Sequence, residues 1–196
     1  MLGYDSASRP TRQTNDLVFR NNLFYDVREG LFMLIGDEPR DVVIDHNTVA
    51  NGGNAFVYVY GGTATDPREV LGVRITNNAT RHQTYGINGA YFGYGNAVIN
   101  GFLPGGVVTG NFLAGGLTVR YPSGNLTGGT FEENFVDAAS YDFRLKSGSQ
   151  LRGAAIDGGD IGADIGNLMA RIQGVQPGES AVPVARPANL RVVGTR

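Results

Sequence analysis

The feature that most constrains this chain is an internal repeat built around asparagine. Three segments align closely with one another and two align more weakly. They read LVFRNNLF (17–24), VVIDHNTV (42–49), VRITNNAT (73–80), GVVTGNFL (106–113) and GTFEENFV (129–136). The aligned asparagines are Asn22, Asn47, Asn78, Asn111 and Asn134, at spacings of 25, 31, 33 and 23 residues. Such a period, with irregular lengths, indicates stacked units joined by loops of different size.

Each unit has the pattern of two short strands separated by a turn. Apolar residues lie five and three places before the asparagine and alternate with polar ones, which is typical of a half-buried strand. The alternation of apolar and polar residues then changes phase at the asparagine, because the residues three before it and two after it cannot share one face of a continuous strand with it. We therefore expect the chain to bend at the asparagine, with its side chain inside the protein. A buried amide needs hydrogen-bond partners, and asparagines of neighbouring units would supply them at the spacing of adjacent strands, about 4.8 Å. The pattern therefore predicts strand–turn–strand units stacked in parallel.

Composition excludes several other classes of protein. The chain has 196 residues with 30 Gly, which favours short strands and frequent turns over a helical bundle. Without cysteine it holds neither disulfides nor Cys-ligated metals. A net charge of -2 gives no electrostatic reason to expect nucleic acid or membrane as a partner. Neither a transmembrane run nor a signal peptide is visible in the sequence.

A segment near the end of the chain adds a family resemblance. Residues 141–165 read YDFRLKSGSQLRGAAIDGGDIGADI. Together with the repeat, this segment resembles the closing coil of bacterial right-handed parallel β-helix proteins of the pectate-lyase-like superfold. The resemblance implies an all-β, right-handed parallel β-helix (a solenoid) of about five coils. It is specific for a fold and not for an activity, because this fold hosts lyases, hydrolases, epimerases and adhesins.

The resemblance also implies a division of the chain. Residues 1–16 form an N-terminal segment or cap, 17–166 the β-helix, and 167–196 a short helix and a Pro-rich tail. The helix is expected at 164–173, where apolar residues follow a helical period. Because the chain starts partway through a coil, we expect it to be the C-terminal portion of a longer protein. That parent would be extracellular or periplasmic, and the open first coil would favour a homo-oligomer.

The alignment places three chemically active side chains together. Two places before the asparagine stand Arg20 in the first unit and Asp45 in the second, and His46 follows Asp45. Stacked units would make Arg20 and Asp45 neighbours on an outward face. A carboxylate, an imidazole and a guanidinium in contact are suited to acid–base catalysis. The alternative is an ordinary surface ion pair of little consequence.

Aromatic residues suggest a second kind of site. Tyrosine stacks on sugar rings because its face is apolar while its hydroxyl remains hydrated. The candidate ligand-binding residues are Tyr58, Tyr60, Tyr91 and Tyr94, together with His82. The alternative is that Tyr58 and Tyr60 pack between strands and bind nothing.

Calcium is the metal that a carboxylate-rich chain without cysteine would bind. Asp37, Glu38 and Asp41 cluster in one loop and are the candidate ligands, although aspartate is also common in turns for conformational reasons. A second cluster, Asp157, Asp160 and Asp164, lies in the closing segment and is interpreted as structural.

Three functional readings follow from these observations. The first is a carbohydrate-associated module that binds or processes a polysaccharide, as a hydrolase or a lyase if it is an enzyme. The second is a Ca²⁺-dependent hydrolase that cleaves a glycosidic, ester or lactone bond of a polysaccharide or small molecule. The third is a non-catalytic remnant of a longer β-helix enzyme. A patch of Arg20, Asp45 and His46 in a cleft would favour an enzyme, and a flat strip of exposed tyrosines would favour binding.

Overall fold

A computed structural model describes residues 2–3, 15–27, 30–35, 39–51 and 53–172. The strands, in chain order, are β1 (Leu2–Gly3), β2 (Asn15–Arg20), β3 (Leu23–Phe24), β4 (Phe32–Ile35), β5 (Arg40–Asp45), β6 (Thr48–Val49), β7 (Ala55–Tyr60), β8 (Arg74–Thr76), β9 (Ala79–Arg81), β10 (Gly86–Gly89), β11 (Gly93–Tyr94), β12 (Val107–Thr109), β13 (Phe112–Ala114), β14 (Leu126–Gly128), β15 (Phe135–Asp137) and β16 (Asp142–Leu145). The helices are α1 (Asn96–Phe102) and α2 (Ile165–Ile172). Single 3-10 turns cover Thr118–Arg120, Glu132–Asn134 and Ala138–Ser140.

Three sheets contain most of these strands. Sheet A has the order β1-β4-β7-β10-β11, sheet B the order β12-β8-β5-β2, and sheet C the order β14-β13-β9-β6-β3. All their pairings are parallel except β10–β11. The first four aligned repeats each place one strand in sheet B and the next in sheet C, with the asparagine between them. Residues that align in the sequence are therefore neighbours in a sheet, as Phe19, Ile44 and Ile75 are.

The prediction of an all-β parallel β-helix is wrong, because the structure is mixed. Two strand pairs, β10–β11 and β15–β16, are antiparallel, and helix α1 interrupts the strands between β11 and β12, in addition to the predicted C-terminal helix, which is present as α2. After β10 the chain reverses into β11 and continues as α1, which buries Val98 and Phe102 in the core. Within the described residues, the earlier repeats have no helix at the equivalent position, so the repeat pattern did not predict that a helix would close the core here.

The aligned asparagines form a continuous hydrogen-bonded ladder. Its members are Asn22, Asn47, Asn78, Asn111 and Asn125, and each side-chain Nδ2 donates to the Oδ1 of the next at 2.9 Å. The backbone N–H of each of the first four donates to that same Oδ1. The fifth member differs from the predicted Asn134, whose Oδ1 instead accepts a hydrogen bond from Ser149 Oγ. The fifth segment therefore lies outside the stacked repeat.

Two hydrophobic cores lie on opposite faces of sheet C. Val49 and Leu113 point into an inner core enclosed by the three sheets and α1, whereas Ala79 and Phe112 point into an outer core. This alternation follows from the pleat of a strand. The outer core is completed by the C-terminal segment, residues 131–172, which supplies Phe131, Phe135, Phe143, Leu151, Ala155, Ile161 and Ile165. Sheet C is therefore covered on both faces.

Candidate functional site

The turn between sheets B and C brings together the three residues predicted as catalytic. β2 and β5 pair in register at Arg20 and Asp45, and Arg20 Nε donates to Asp45 Oδ2 at 2.8 Å. His46 Nδ1 lies 3.0 Å from the same oxygen. The stacking of aligned repeats thus produces the contact that the sequence predicts.

Asp45 is a buried carboxylate with every oxygen engaged. Its Oδ1 accepts hydrogen bonds from Thr76 Oγ1 at 2.7 Å and from Asn77 Nδ2 at 3.0 Å. Burial, the largest single influence, raises the pKa of Asp45, but hydrogen bonds from Thr76, His46 and Asn77 together lower it below its ordinary value. Asp45 is therefore ionised at neutral pH and fixed in position.

His46 occupies a backbone position that histidine seldom takes. Its φ is 50°, in the left-handed region. The equivalent residues of the other rungs are Asn21, Asn77, Gly110 and Gly124, with φ between 56° and 85°. Histidine, like asparagine, is among the non-glycine residues found more often in this conformation, so His46 fits the column and differs from the other rungs in bringing an imidazole to it. A residue held in a sparsely populated conformation is a reason to look for function at that position.

The contacts of His46 determine which ring nitrogen is basic. Because Asp45 is an ionised acceptor, the proton of neutral His46 lies on Nδ1, and Nε2 carries a lone pair. Nε2 lies 3.5 Å from Asp157 Oδ2. The side chain of His46 is 19% exposed, so solvent reaches a small part of it.

A cleft of about 560 Å³ adjoins His46. Its charged lining residues are Arg20, Arg144, Arg152, Asp160 and Asp164. Arg144 is already paired with Asp142, and Arg152 donates to the backbone carbonyls of Leu145 and Lys146. The cleft has no large excess of either charge, which suits a neutral ligand better than a polyanion.

One wall of the cleft is built by the C-terminal segment. Its backbone N–H groups donate to the turn residues: Ile156 N to Asn77 Oδ1, Ala163 N to Thr48 Oγ1, and Asp164 N to Asn21 Oδ1. Sequence reasoning missed the part that Asp157 plays in the site. Only the folding of this segment onto the turns brings Asp157 to His46, and no local pattern signals it.

Three of the residues predicted to bind ligand lie on sheet A, Tyr58 and Tyr60 in β7 and Tyr94 in β11. Tyr58 and Tyr94 both pair with Asn88 of the strand between them, and ligand binding by these residues stays a prediction. Tyr58 and Tyr60 stack with ring centroids 5.7 Å apart on sheet A. Tyr91 is exposed, and Tyr94 lies edge-on to the ring of His82. The ring of His82 is buried, with Nε2 2.8 Å from the hydroxyl of Tyr121 and Nδ1 3.0 Å from the carbonyl of Gln83. These contacts give His82 a packing role.

The predicted calcium ligands are only partly within the described residues. Asp37 and Glu38 lie outside them, while Asp41 is exposed at the start of β5 with φ 57°. Among the described residues, no group of three or more His, Asp or Glu side chains is arranged to hold a metal ion. Calcium binding stays a prediction. Neither of the two described helices has the length and apolar character needed to cross a membrane.

The C-terminal aspartates have local partners. The backbone N–H of Gly153 donates to Asp160 Oδ1, that of Gly159 to Asp157 Oδ1, and that of Asn167 to Asp164 Oδ1. These are the contacts of carboxylates that stabilise turns and helix starts.

Comparison of the chain with protein-family models, with curated proteins and with solved structures gives no match. The resemblance to the pectate-lyase-like proteins therefore stays a sequence-based prediction. The geometry around His46 carries the functional argument.

Proposed function

We propose that this protein is a hydrolase that cleaves a neutral acyl ester or lactone, with His46 as the general base. The observation that carries the proposal is the arrangement of His46: Nδ1 is held by the buried, ionised Asp45, and the residue lines a cleft. A base oriented by a carboxylate is the arrangement that activates a nucleophile in many hydrolases. Here the nucleophile would be water.

The reaction needs only residues at this site. His46 Nε2 takes a proton from water as the water oxygen bonds to the carbonyl carbon of the substrate. The carbon–oxygen bond to the leaving group then breaks, and the imidazolium returns the proton to the departing alkoxide. The products are a carboxylic acid and an alcohol. Asp157, 3.5 Å from Nε2, would stabilise the imidazolium that exists between the two steps.

Arg20 is suited to stabilise the oxyanion of that intermediate. Its Nε donates to Asp45, and no other hydrogen bond among the described residues uses its guanidinium. The remaining N–H groups are thus available in the cleft that Arg20 lines. Positioned donors of this kind contribute strongly to acyl transfer.

The geometry favours acyl over glycosidic cleavage. Glycosidases generally need two carboxyl groups that flank the scissile bond. The two carboxylates that line this cleft, Asp160 and Asp164, each accept a backbone hydrogen bond at 2.8–2.9 Å and support the local chain. A single histidine base with an adjacent guanidinium fits the attack of water on a carbonyl carbon.

The test uses p-nitrophenyl acetate and δ-valerolactone as probes. His46→Asn keeps a residue that tolerates the left-handed turn, as Asn21 and Asn77 do in the same column. We expect kcat/KM to fall by about 10²–10⁴-fold with little change in melting temperature. His46→Gly also tolerates the turn, and imidazole added to the solution should restore part of its activity. Because imidazole alone hydrolyses p-nitrophenyl acetate, the rescue is the rate gained over the same imidazole without protein, and a purely structural histidine would show none.

Two results would overturn the proposal. One is a wild-type protein that hydrolyses neither probe above the background rate. The other is a His46→Asn variant that remains as active as the wild type on a probe the wild type hydrolyses.

A further inference from the structure

A second cleft, of about 440 Å³, lies at the ends of neighbouring strands of sheet C. Tyr25 and Asn51 follow β3 and β6, Arg81 ends β9, and Gln83 comes shortly after it. The opposite wall is the C-terminal segment, which contributes Tyr141. The carboxyl ends of parallel strands thus place polar and aromatic side chains together at one edge.

Two exposed tyrosines dominate this cleft. Tyr25 is 49% exposed and Tyr141 is 62% exposed. Their rings meet edge to face with centroids 4.7 Å apart. The pair therefore offers an aromatic surface to the solvent.

Tyr141 is held in a conformation that disfavours it. Its φ is 66°, in the left-handed region where glycine is the usual residue. Its backbone N–H closes the preceding 3-10 turn on the carbonyl of Ala138. Glycine would adopt this backbone conformation with less strain. The presence of tyrosine at this position is therefore explained by its side chain.

The polar groups in the cleft can recognise hydroxyls. Arg81 is fixed by an ion pair with Glu132 and by stacking over the ring of Phe131 at 4.6 Å. Asn51 donates through Nδ2 to Asp26 at 3.4 Å, which leaves its Oδ1 as an acceptor. No hydrogen bond among the described residues uses the side chain of Gln83.

The balance of charge restricts the ligand class. Among the residues that the structure describes, Arg81 is the one charged residue in the lining of this cleft, and Glu132 neutralises it. A phosphate or uronate would find no unpaired cation among the described lining residues, whereas a neutral ligand does not need one. A neutral ligand with one apolar face and several hydroxyls is a sugar.

We infer that the cleft between Tyr25 and Tyr141 is a binding site for a neutral saccharide. One sugar ring stacks on the tyrosine pair, and its hydroxyls bond to Asn51, Gln83 and Arg81. This site is distinct from the His46 cleft and does not depend on the hydrolase activity proposed above.

The experiment is a calorimetric titration of the full chain with defined oligosaccharides. The neutral probes are cellohexaose, xylohexaose and laminarihexaose, with trigalacturonate as the acidic probe and adenosine as the aromatic-base probe. We expect at least one neutral oligosaccharide to bind, and Tyr141→Gly to weaken it by about tenfold or more. Glycine removes the ring and relieves the backbone, so this variant should fold as the wild type does.

Tyr91→Gly is the matched control. Tyr91 is also an exposed tyrosine, 65% accessible, with φ 73°, but it lies outside the lining of this cleft. Its replacement should leave the affinity unchanged. The inference is overturned if no neutral oligosaccharide binds or if only trigalacturonate or adenosine binds. It is also overturned if Tyr141→Gly binds as the wild type does, or if Tyr91→Gly loses binding to the same extent.

Discussion

The stacked repeats and the C-terminal segment build their parts of the protein in different ways. In sheets B and C, the strands that pair come from equivalent positions of successive repeats, and the asparagine contacts recur from rung to rung. The segment 131–172 has no such recurrence. It attaches through a phenylalanine-rich core and through single hydrogen bonds to the turns, across as many as 143 residues of chain. The repeats place equivalent side chains in rows along the surface. The C-terminal segment packs beside two parts of that surface, and each of the two clefts lies between the segment and the repeats.

The largest effects should come from emptying either core. Phe102 lies in the inner core and Phe143 in the outer core, and both are fully buried. Replacing either with alanine should lower the free energy of unfolding by about 3–5 kcal/mol, because a large cavity remains. Urea denaturation measures both losses.

The two variants should differ in activity. Phe143 adjoins Arg144 and Leu145, which line the His46 cleft, so Phe143→Ala should also reduce hydrolysis of p-nitrophenyl acetate in folded protein. Phe102→Ala should not, at a temperature where it stays folded. Equal losses of activity would mean that the cleft does not depend on the attachment of the C-terminal segment.

The next largest effect should come from the centre of the asparagine ladder. Asn78 is fully buried and donates through Nδ2 to the carbonyls of Ile44 and Thr76 and to Asn111. Asn78→Ala would leave several buried polar groups without partners, at a cost of about 3 kcal/mol or more in unfolding free energy.

Asn22 is the control at the end of the ladder. It is only partly buried, so water can hydrogen-bond to the groups that lose Asn22 as a partner. Asn22→Ala should cost about 1 kcal/mol, as a typical single hydrogen bond does. If both variants lost the same amount, the ladder would not act as a buried network, and the comparison between its centre and its end would fail.

The repeats could be predicted in detail because their contacts repeat. The period in the sequence identified four rungs of the ladder, the inward apolar residues such as Val49 and Leu113, and the contact of Arg20 with Asp45. Each is a relation between equivalent positions. The helix predicted at 164–173 is also present, at Ile165–Ile172, because its apolar residues follow a helical period.

The rest of the fold and of the site depends on packing contacts that leave no pattern in the local sequence. Helix α1 starts after Gly95 without a side-chain cap and includes Gly101, so local propensity does not favour it, and burial of Val98 and Phe102 stabilises it instead. Asn125 replaced Asn134 in the ladder because the fourth loop is short, 14 residues from Asn111, and the fifth segment packs elsewhere. The pairing of Asp157 with His46 and of Tyr25 with Tyr141 requires the C-terminal segment to fold onto the repeats.

The smallest effect should be a difference in acid sensitivity between the two regions. The pKa of Asp45 is lowered in the folded protein, so its charge stabilises the fold above the ordinary pKa of aspartate and ceases to do so as the pH falls through the lowered value. Asp45→Asn should lower the melting temperature at neutral pH by about 2–4 °C, corresponding to roughly 1 kcal/mol for a chain of this size. That difference from the wild type should shrink below about pH 4.

Asp142 in the C-terminal segment is the control for that measurement. Arg144 lowers the pKa of Asp142 to about 2 by hydrogen bonding, but the side chain of Asp142 is 25% exposed, against 8% for Asp45, so solvent screens the pair more strongly. Asp142→Asn should therefore change the melting temperature very little at any pH between 2 and 7, despite the larger displacement of its pKa. Thermal melts of both variants at matched pH measure this. The opposite result would be a larger pH-dependent loss of melting temperature for Asp142→Asn than for Asp45→Asn. It would show that burial does not strengthen the interactions of Asp45, the carboxylate that holds His46.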